Sequence, residues 1–145
     1  MEATKLLTQD HRKVQKILKD LKETTARSSA KRRELLQTLK QELQIHEKVE
    51  EKLFYPKMKQ GEKELILEAY EEHHLVDKLL AELEKTDIKD EHWKAKITVL
   101  EENLVHHIKE EEKEIFPKAH KKLGEKALNQ MGEEIQSMKE KEMAD

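Results

Sequence analysis

The sequence predicts an all-α fold, an up-down-up-down four-helix bundle with an additional C-terminal helix, and three observations carry that reading. Long stretches rich in Glu, Lys and Leu run almost without breakers: the 145 residues hold only three glycines and two prolines, with 42% charged and 35% hydrophobic. That balance fits amphipathic helices and leaves little turn chemistry for a many-stranded β fold. Apolar residues recur at steps of three and four in four successive segments, which places them on one stripe of each helix. The connections between the segments are short, which favours antiparallel neighbours.

The first helix is predicted from about Ala3 to Thr25, with His11, Val14, Leu18 and Leu21 on its inner stripe. ARSSA at 26–30 is a loop in which Ser28 or Ser29 can cap the next helix; lacking glycine, it is no phosphate cradle. The second helix runs from about Lys31 to Lys59 and stops at Gly61, with Pro56 expected to kink or fray its last turn. Its seam reads Leu36, Leu39, Leu43, His46, Glu50 and Leu53. A third helix covers about Glu62 to Lys85, with His73, Val76, Leu80 and Leu83 in line. TDIKD at 86–90 supplies caps for a fourth, about Glu91 to Lys122, whose seam is Ile97, Leu100, Leu104, His107, Glu111 and Glu114, with Pro117 marking its end. Gly124 separates a last, weakly amphipathic helix from about Glu125 to Lys141. The expected organisation is a bundle over 1–122 and a C-terminal helix or tail over 123–145.

Composition also narrows the function. Net charge is −3, with 29 basic and 32 acidic residues interspersed, so there is no basic stripe of the kind that binds nucleic acid. Without cysteine there can be no disulfide, zinc–thiolate site or iron–sulfur cluster. No apolar run approaches a membrane span, and MEATKLLTQDH lacks a signal peptide's apolar core. A cytoplasmic location without membrane association is the expectation.

The chain repeats itself. QIHEKVEEKLFYP at 44–56 and VHHIKEEEKEIFP at 105–117 share a His, a Glu four residues on, a second Glu, an aromatic and a proline at the same offsets. His11 and His73 each follow an acid, Asp10 and Glu72, and precede His46 and His107 by 35 and 34 residues. Two copies of a helical hairpin therefore each carry one His on the first helix and His-x-x-x-Glu on the second. A glutamate on a core stripe is costly unless its charge is compensated. Hydrogen bonding between His and Glu is one resolution; a cation is the other. Residues four apart lie on neighbouring turns of one face, so His46 with Glu50 and His107 with Glu111 can approach the bundle axis together, and His11 and His73 complete six candidate ligands. Six nitrogen and oxygen donors are too many for one tetrahedral zinc. They suit two octahedral ions if the carboxylates bridge, and a set without sulfur suits iron, with manganese the competing occupant. His74 and His106 neighbour two of the ligands and are alternates after a small rotation. Tyr70, three residues before His73, packs in the core or hydrogen-bonds at the site, while Phe54 and Tyr55 are expected to close one end of the bundle.

D-H-x-x-V at 10–14, H-x-x-x-E-E-x-x-x-Y-P at 46–56, E-H-x-x-V at 72–76 and H-x-x-x-E-E-x-x-x-F-P at 107–117 together resemble the hemerythrin-like HHE cation-binding domain over about positions 6 to 120. The resemblance implies a non-haem di-iron centre with two bridging carboxylates and an oxo or hydroxo bridge, its ligands His11, His46, Glu50, His73, His107 and Glu111. In some relatives the residue after the second-helix His also ligates, which makes Glu47 an outside candidate. Oxygen-carrying hemerythrins have a further His where this chain has Asp77, and place the fourth-helix acid where it has Glu112. That departure argues against simple oxygen carriage. The resemblance implies binding or sensing of dioxygen or a related small oxidant. The alternatives are a di-iron oxidoreductase acting on peroxide, oxygen or nitric oxide, and a metal-free helical interaction module.

Overall fold

The computed structural model describes residues 1–144, which are helical along most of their length with no strand among them. Helix α1 spans Ala3–Glu23, with the Glu2 carboxylate accepting from Thr4 N at 2.6 Å as its cap. It ends two residues earlier than the sequence predicts, because Thr24 turns extended and returns its N–H and its hydroxyl to Leu21 O. Helix α2 spans Ser29–Val49; Ser28 occupies the cap position without a side-chain bond. The short α3, Tyr55–Lys59, is followed by α4, Lys63–Lys85, and α5, Trp93–Glu110. Packing α1 against α2 and α5, and α4 against α5, closes the predicted four-helix arrangement.

Two π turns depart from the predicted pattern. Residues Glu50–Phe54 and Glu111–Ile115 are π-helical, with Tyr55 N–H reaching Glu50 O and Phe116 N–H reaching Glu111 O. A single residue separates each turn from a proline. A proline ring collides with the carbonyl four residues back in a regular helix, and a widened turn moves that carbonyl aside. Pro56 therefore neither frays nor ends its helix, and beyond Pro117 the chain stays helical in α6, Phe116–Ala144, which breaks only at Gly124. Gly124 sits at φ 81°, a conformation only glycine adopts without strain. The inserted residue also shifts the inward face. Leu53 is only half-buried and Glu114, expected on the seam, is exposed; Phe54, Tyr55, Ile115 and Phe116 are buried instead.

The interior has two apolar clusters. One holds Val14, Leu18, Leu21, Leu39, Leu43, Val76, Leu80, Leu100 and Leu104. At its far end Arg32 is buried: it donates to Thr24 and to Ile88 O, and its guanidinium lies 4.3 Å from the centroid of the Trp93 ring. The other cluster, around Phe54, Tyr55, Ile66, Ile115 and Phe116, takes in Leu128, Met131 and Ile135 from the helix after Gly124. That helix lies against the N-terminus, where a Cβ on Gly132 would stand 2.1 Å from Met1 O and 3.2 Å from Glu2 backbone atoms. Gly132→Ala should therefore lower the stability of the folded chain by about 1–3 kcal/mol, read as a lower denaturant midpoint with unchanged slope.

Candidate metal centre

The residues between the two apolar clusters are polar. His11 comes from the middle of α1 and His73 from the middle of α4, while His46 and His107 occupy the last turns of α2 and α5. Glu50 and Glu111 open the two π turns and are fully buried; all four histidines are buried with them. Every sequence-predicted ligand thus faces the same interior layer.

The layer is paired. His11 and His46, from one hairpin, have ring centroids 4.9 Å apart; His73 and His107, from the other, are 5.0 Å apart. Their Nε2 atoms point to the carboxylates: His46 and His73 lie 3.2 and 3.1 Å from Glu50 Oε1, and His11 and His107 lie 3.0 and 3.5 Å from Glu111 Oε1. Two sets of donor atoms result, each within 4.8 Å of one another. One is His11, His46, Glu50 and Glu111, the other Glu50, His73 and His107. Glu50 belongs to both.

Behind each ring stands another carboxylate. His46 Nδ1 meets Asp10 at 2.9 Å, His107 Nδ1 meets Glu72 at 2.5 Å, His11 Nδ1 meets Glu112 at 2.7 Å and His73 Nδ1 meets Glu51 at 2.7 Å. The duplication explains the pattern. The acid preceding the first-helix His backs the second-helix His of its own hairpin, and the acid after each π-turn Glu backs the first-helix His of the other. A carboxylate on Nδ1 holds a proton there and turns Nε2 inward, the atom that offers its lone pair to a cation once its own proton is displaced. Glu112, a ligand position in oxygen-carrying hemerythrins, here serves the outer side of His11. His74 and His106 are exposed and lie outside both sets; His106 instead shares a separate, more exposed group with Glu72 and Glu110.

Tyr55 packs in the apolar cluster at its end of the bundle, as expected, and has a second role that the sequence did not show. Its O–H donates to Glu111 Oε2 at 2.6 Å and lies 3.2 Å from both Glu50 Oε1 and His73 Nε2. Tyr70 meets the Tyr55 ring edge-on, 5.2 Å between centroids. The π turn is what brings Tyr55 inward, a shift that regular helical spacing cannot show. Its counterpart in the other repeat, Phe116, stacks on His11 at 5.8 Å.

On the opposite side, a cavity of about 20 Å³ is lined by the four histidines, Glu47 and the apolar side chains of Val14, Leu43, Val76, Leu104 and Ile108. Glu47 is buried and also borders a surface groove between α2 and α4 beside Asp77, which is exposed. Burial first, and then the neighbouring Asp77, push the Glu47 carboxyl up to about 9.

The charge state of the metal-free layer is set by these contacts. Burial pulls the His73 pKa down, but hydrogen bonds to Glu50 and Glu51 and the charge of Glu50 outweigh it and raise it to about 10. His46 moves the same way against its burial, through Glu50 and Asp10, and His107 through Glu111 and Glu72. Glu50 is driven down in spite of its burial by the charge of His46 and by hydrogen bonds.

A helical bundle with a buried layer of four imidazoles, their Nε2 atoms turned inward on two carboxylates, defines a metal-binding protein. Residues 2–119 match the Hemerythrin HHE cation binding domain, and the chain belongs to that family. It is similar to the crystal structure of a hemerythrin HHE cation binding domain-containing protein from Mycobacterium kansasii, at 26% identity and a TM-score of 0.89, covering 98% of this chain and 87% of that one. No curated protein is close enough in sequence to count as a relative. No helix among the described residues is long and apolar enough to cross a membrane.

Two pH effects are expected. A cation at Nε2 must displace the protons held by the raised histidines, so metal uptake near pH 7 should release protons and tighten as pH rises; calorimetry in two buffers of different ionisation enthalpy measures the number released. In the metal-free chain, His73 at about 10 against an unfolded value of 6.5 contributes stability that is complete below about pH 6.5 and lost as pH rises through about 10. Glu47, raised to about 9 from 4.5, works in the same direction between those values. The thermal midpoint of metal-free protein should fall on going from pH 6.5 to 10.

Proposed function

We propose that the chain binds two iron ions, one against His11 and His46 and the other against His73 and His107, with Glu50 and Glu111 between them, and that it binds or senses dioxygen or a related small oxidant. The observation that carries the reading is the membership of Glu50 in both donor sets, the position a bridging carboxylate occupies. The donor chemistry fits the ions. His46 Nε2 and Glu50 Oε2 are buried without a hydrogen-bond partner, an unfavourable arrangement that a cation in contact with both would relieve. Imidazole and carboxylate without sulfur suit iron, and manganese is the less favoured occupant.

The iron pair would supply electrons one at a time to an oxidant. What this chain contributes is access, orientation and proton placement. The small cavity on the histidine side has room for a molecule about the size of water, and its apolar lining favours an uncharged ligand. Glu47 lines both this cavity and the outer groove, which puts a buried carboxyl between them. The four outer carboxylates hold the rings in register.

A second reading, an oxidoreductase acting on peroxide, oxygen or nitric oxide, draws on Tyr55. Its phenol touches both inner carboxylates and is the hydroxyl positioned to give up a proton there.

Metal analysis and an absorption spectrum of protein from iron-supplemented cells test the reading. Two irons per chain with near-ultraviolet charge-transfer bands are expected; one iron, or zinc, overturns it, and metal-free protein whose melting is unchanged by His46→Ala points to a helical interaction module. Glu50→Ala should weaken binding at both positions by at least about tenfold. Tyr55→Phe should retain both irons. Turnover of added peroxide that Tyr55→Phe slows would favour the oxidoreductase over the sensor.

A further inference from the structure

The four outer carboxylates are alike in role and unlike in charge. Behind His46, Asp10 is ion-paired with Lys139, a residue of the helix after Gly124. Behind His11, Glu112 meets Arg12 at 2.5 and 3.1 Å. Behind His73 and His107, Glu51 and Glu72 pair with no lysine or arginine among the described residues; besides His107, Glu72 meets the exposed His106 at 3.6 Å. Both compensating cations thus stand behind the same histidine pair.

We infer that the two metal positions are electrostatically inequivalent, with Lys139 of the C-terminal helix as the positioning residue that sets most of the difference. The inference rests on the proposed two-metal reading. A carboxylate neutralised by a lysine polarises its histidine less and attracts the ion beyond it less. The His73–His107 position is therefore the one that takes a first divalent cation. In a pair of unequal oxidation states it also holds the higher charge. Lys139 dominates over Arg12 because its side chain is only 23% exposed, whereas that of Arg12 is 56% exposed and screened by solvent. The helix that brings Lys139 is anchored separately by Leu128, Met131 and Ile135 and by the Lys48–Glu142 ion pair at 2.5 Å, so the charge can be removed without removing the helix.

The test monitors histidine ring ¹⁵N resonances while Zn(II), a diamagnetic probe, is added stepwise to the metal-free full-length protein. In the wild type, His73 and His107 should shift during the first equivalent and His11 and His46 during the second. Lys139→Met should tighten the His11–His46 position about tenfold and bring the two steps together, Lys139→Arg should keep them apart, and Glu142→Gln, which loosens the helix but spares Asp10, should leave the order unchanged. A purely structural Lys139 would lower the melting temperature of Lys139→Met without moving the order of filling. Simultaneous filling in the wild type, His11 and His46 filling first, or a Lys139→Met titration identical to wild type would overturn the inference while leaving the two-metal reading intact. Failure of all four histidines to respond would remove both.

Discussion

Two carboxylates with no exposure to water, Glu50 and Glu111, set the terms for everything around them. Removing an ionised group from water is strongly unfavourable unless opposite charge and hydrogen bonds replace the solvent. Here four imidazoles and a phenol surround the pair, and four further carboxylates surround the imidazoles. The bundle is organised as concentric polar layers held between two apolar clusters. Leu39, Leu43, Val76 and Leu104 on one side and Phe54, Ile115 and Phe116 on the other exclude water from the layer and keep the side chains at fixed distances.

The π turns are the structural device that makes this layer possible. Both start at the buried glutamate and both precede a proline. An extra residue per turn rotates the chain beyond the glutamate, so that Glu51 and Glu112 swing to the outer side of the opposite hairpin's histidine, while Tyr55 and Phe116 come inward. One local distortion thus places a core carboxylate, an outer carboxylate and an aromatic ring. π turns are often found at functional positions, and here the reason is geometric.

The duplicated plan is not symmetric in detail. Tyr55 answers to Phe116, Glu47 to Ile108, and the cations behind one histidine pair have no counterpart behind the other. Two hairpins with the same ligand spacing thereby present different surroundings to the two halves of the site.

The four helices, their inward stripes and the six candidate ligands were legible in the sequence because burial on a helix imposes a three- and four-residue rhythm, and a histidine or glutamate that keeps the rhythm stands out among leucines. The carboxylates at Asp10 and Glu72 were visible as repeated neighbours, without their partners. Their pairing with His46 and His107, like that of Glu51 and Glu112 with His73 and His11, joins residues on different helices, and spacing along one helix carries no information about rotation between two. The inward hydroxyl of Tyr55 and the outward turn of Glu114 were not legible for a related reason: a π turn breaks the very periodicity from which facing is inferred. Lys139 lies 129 residues from Asp10, and only the packing of the last helix against the first could bring that charge to the site.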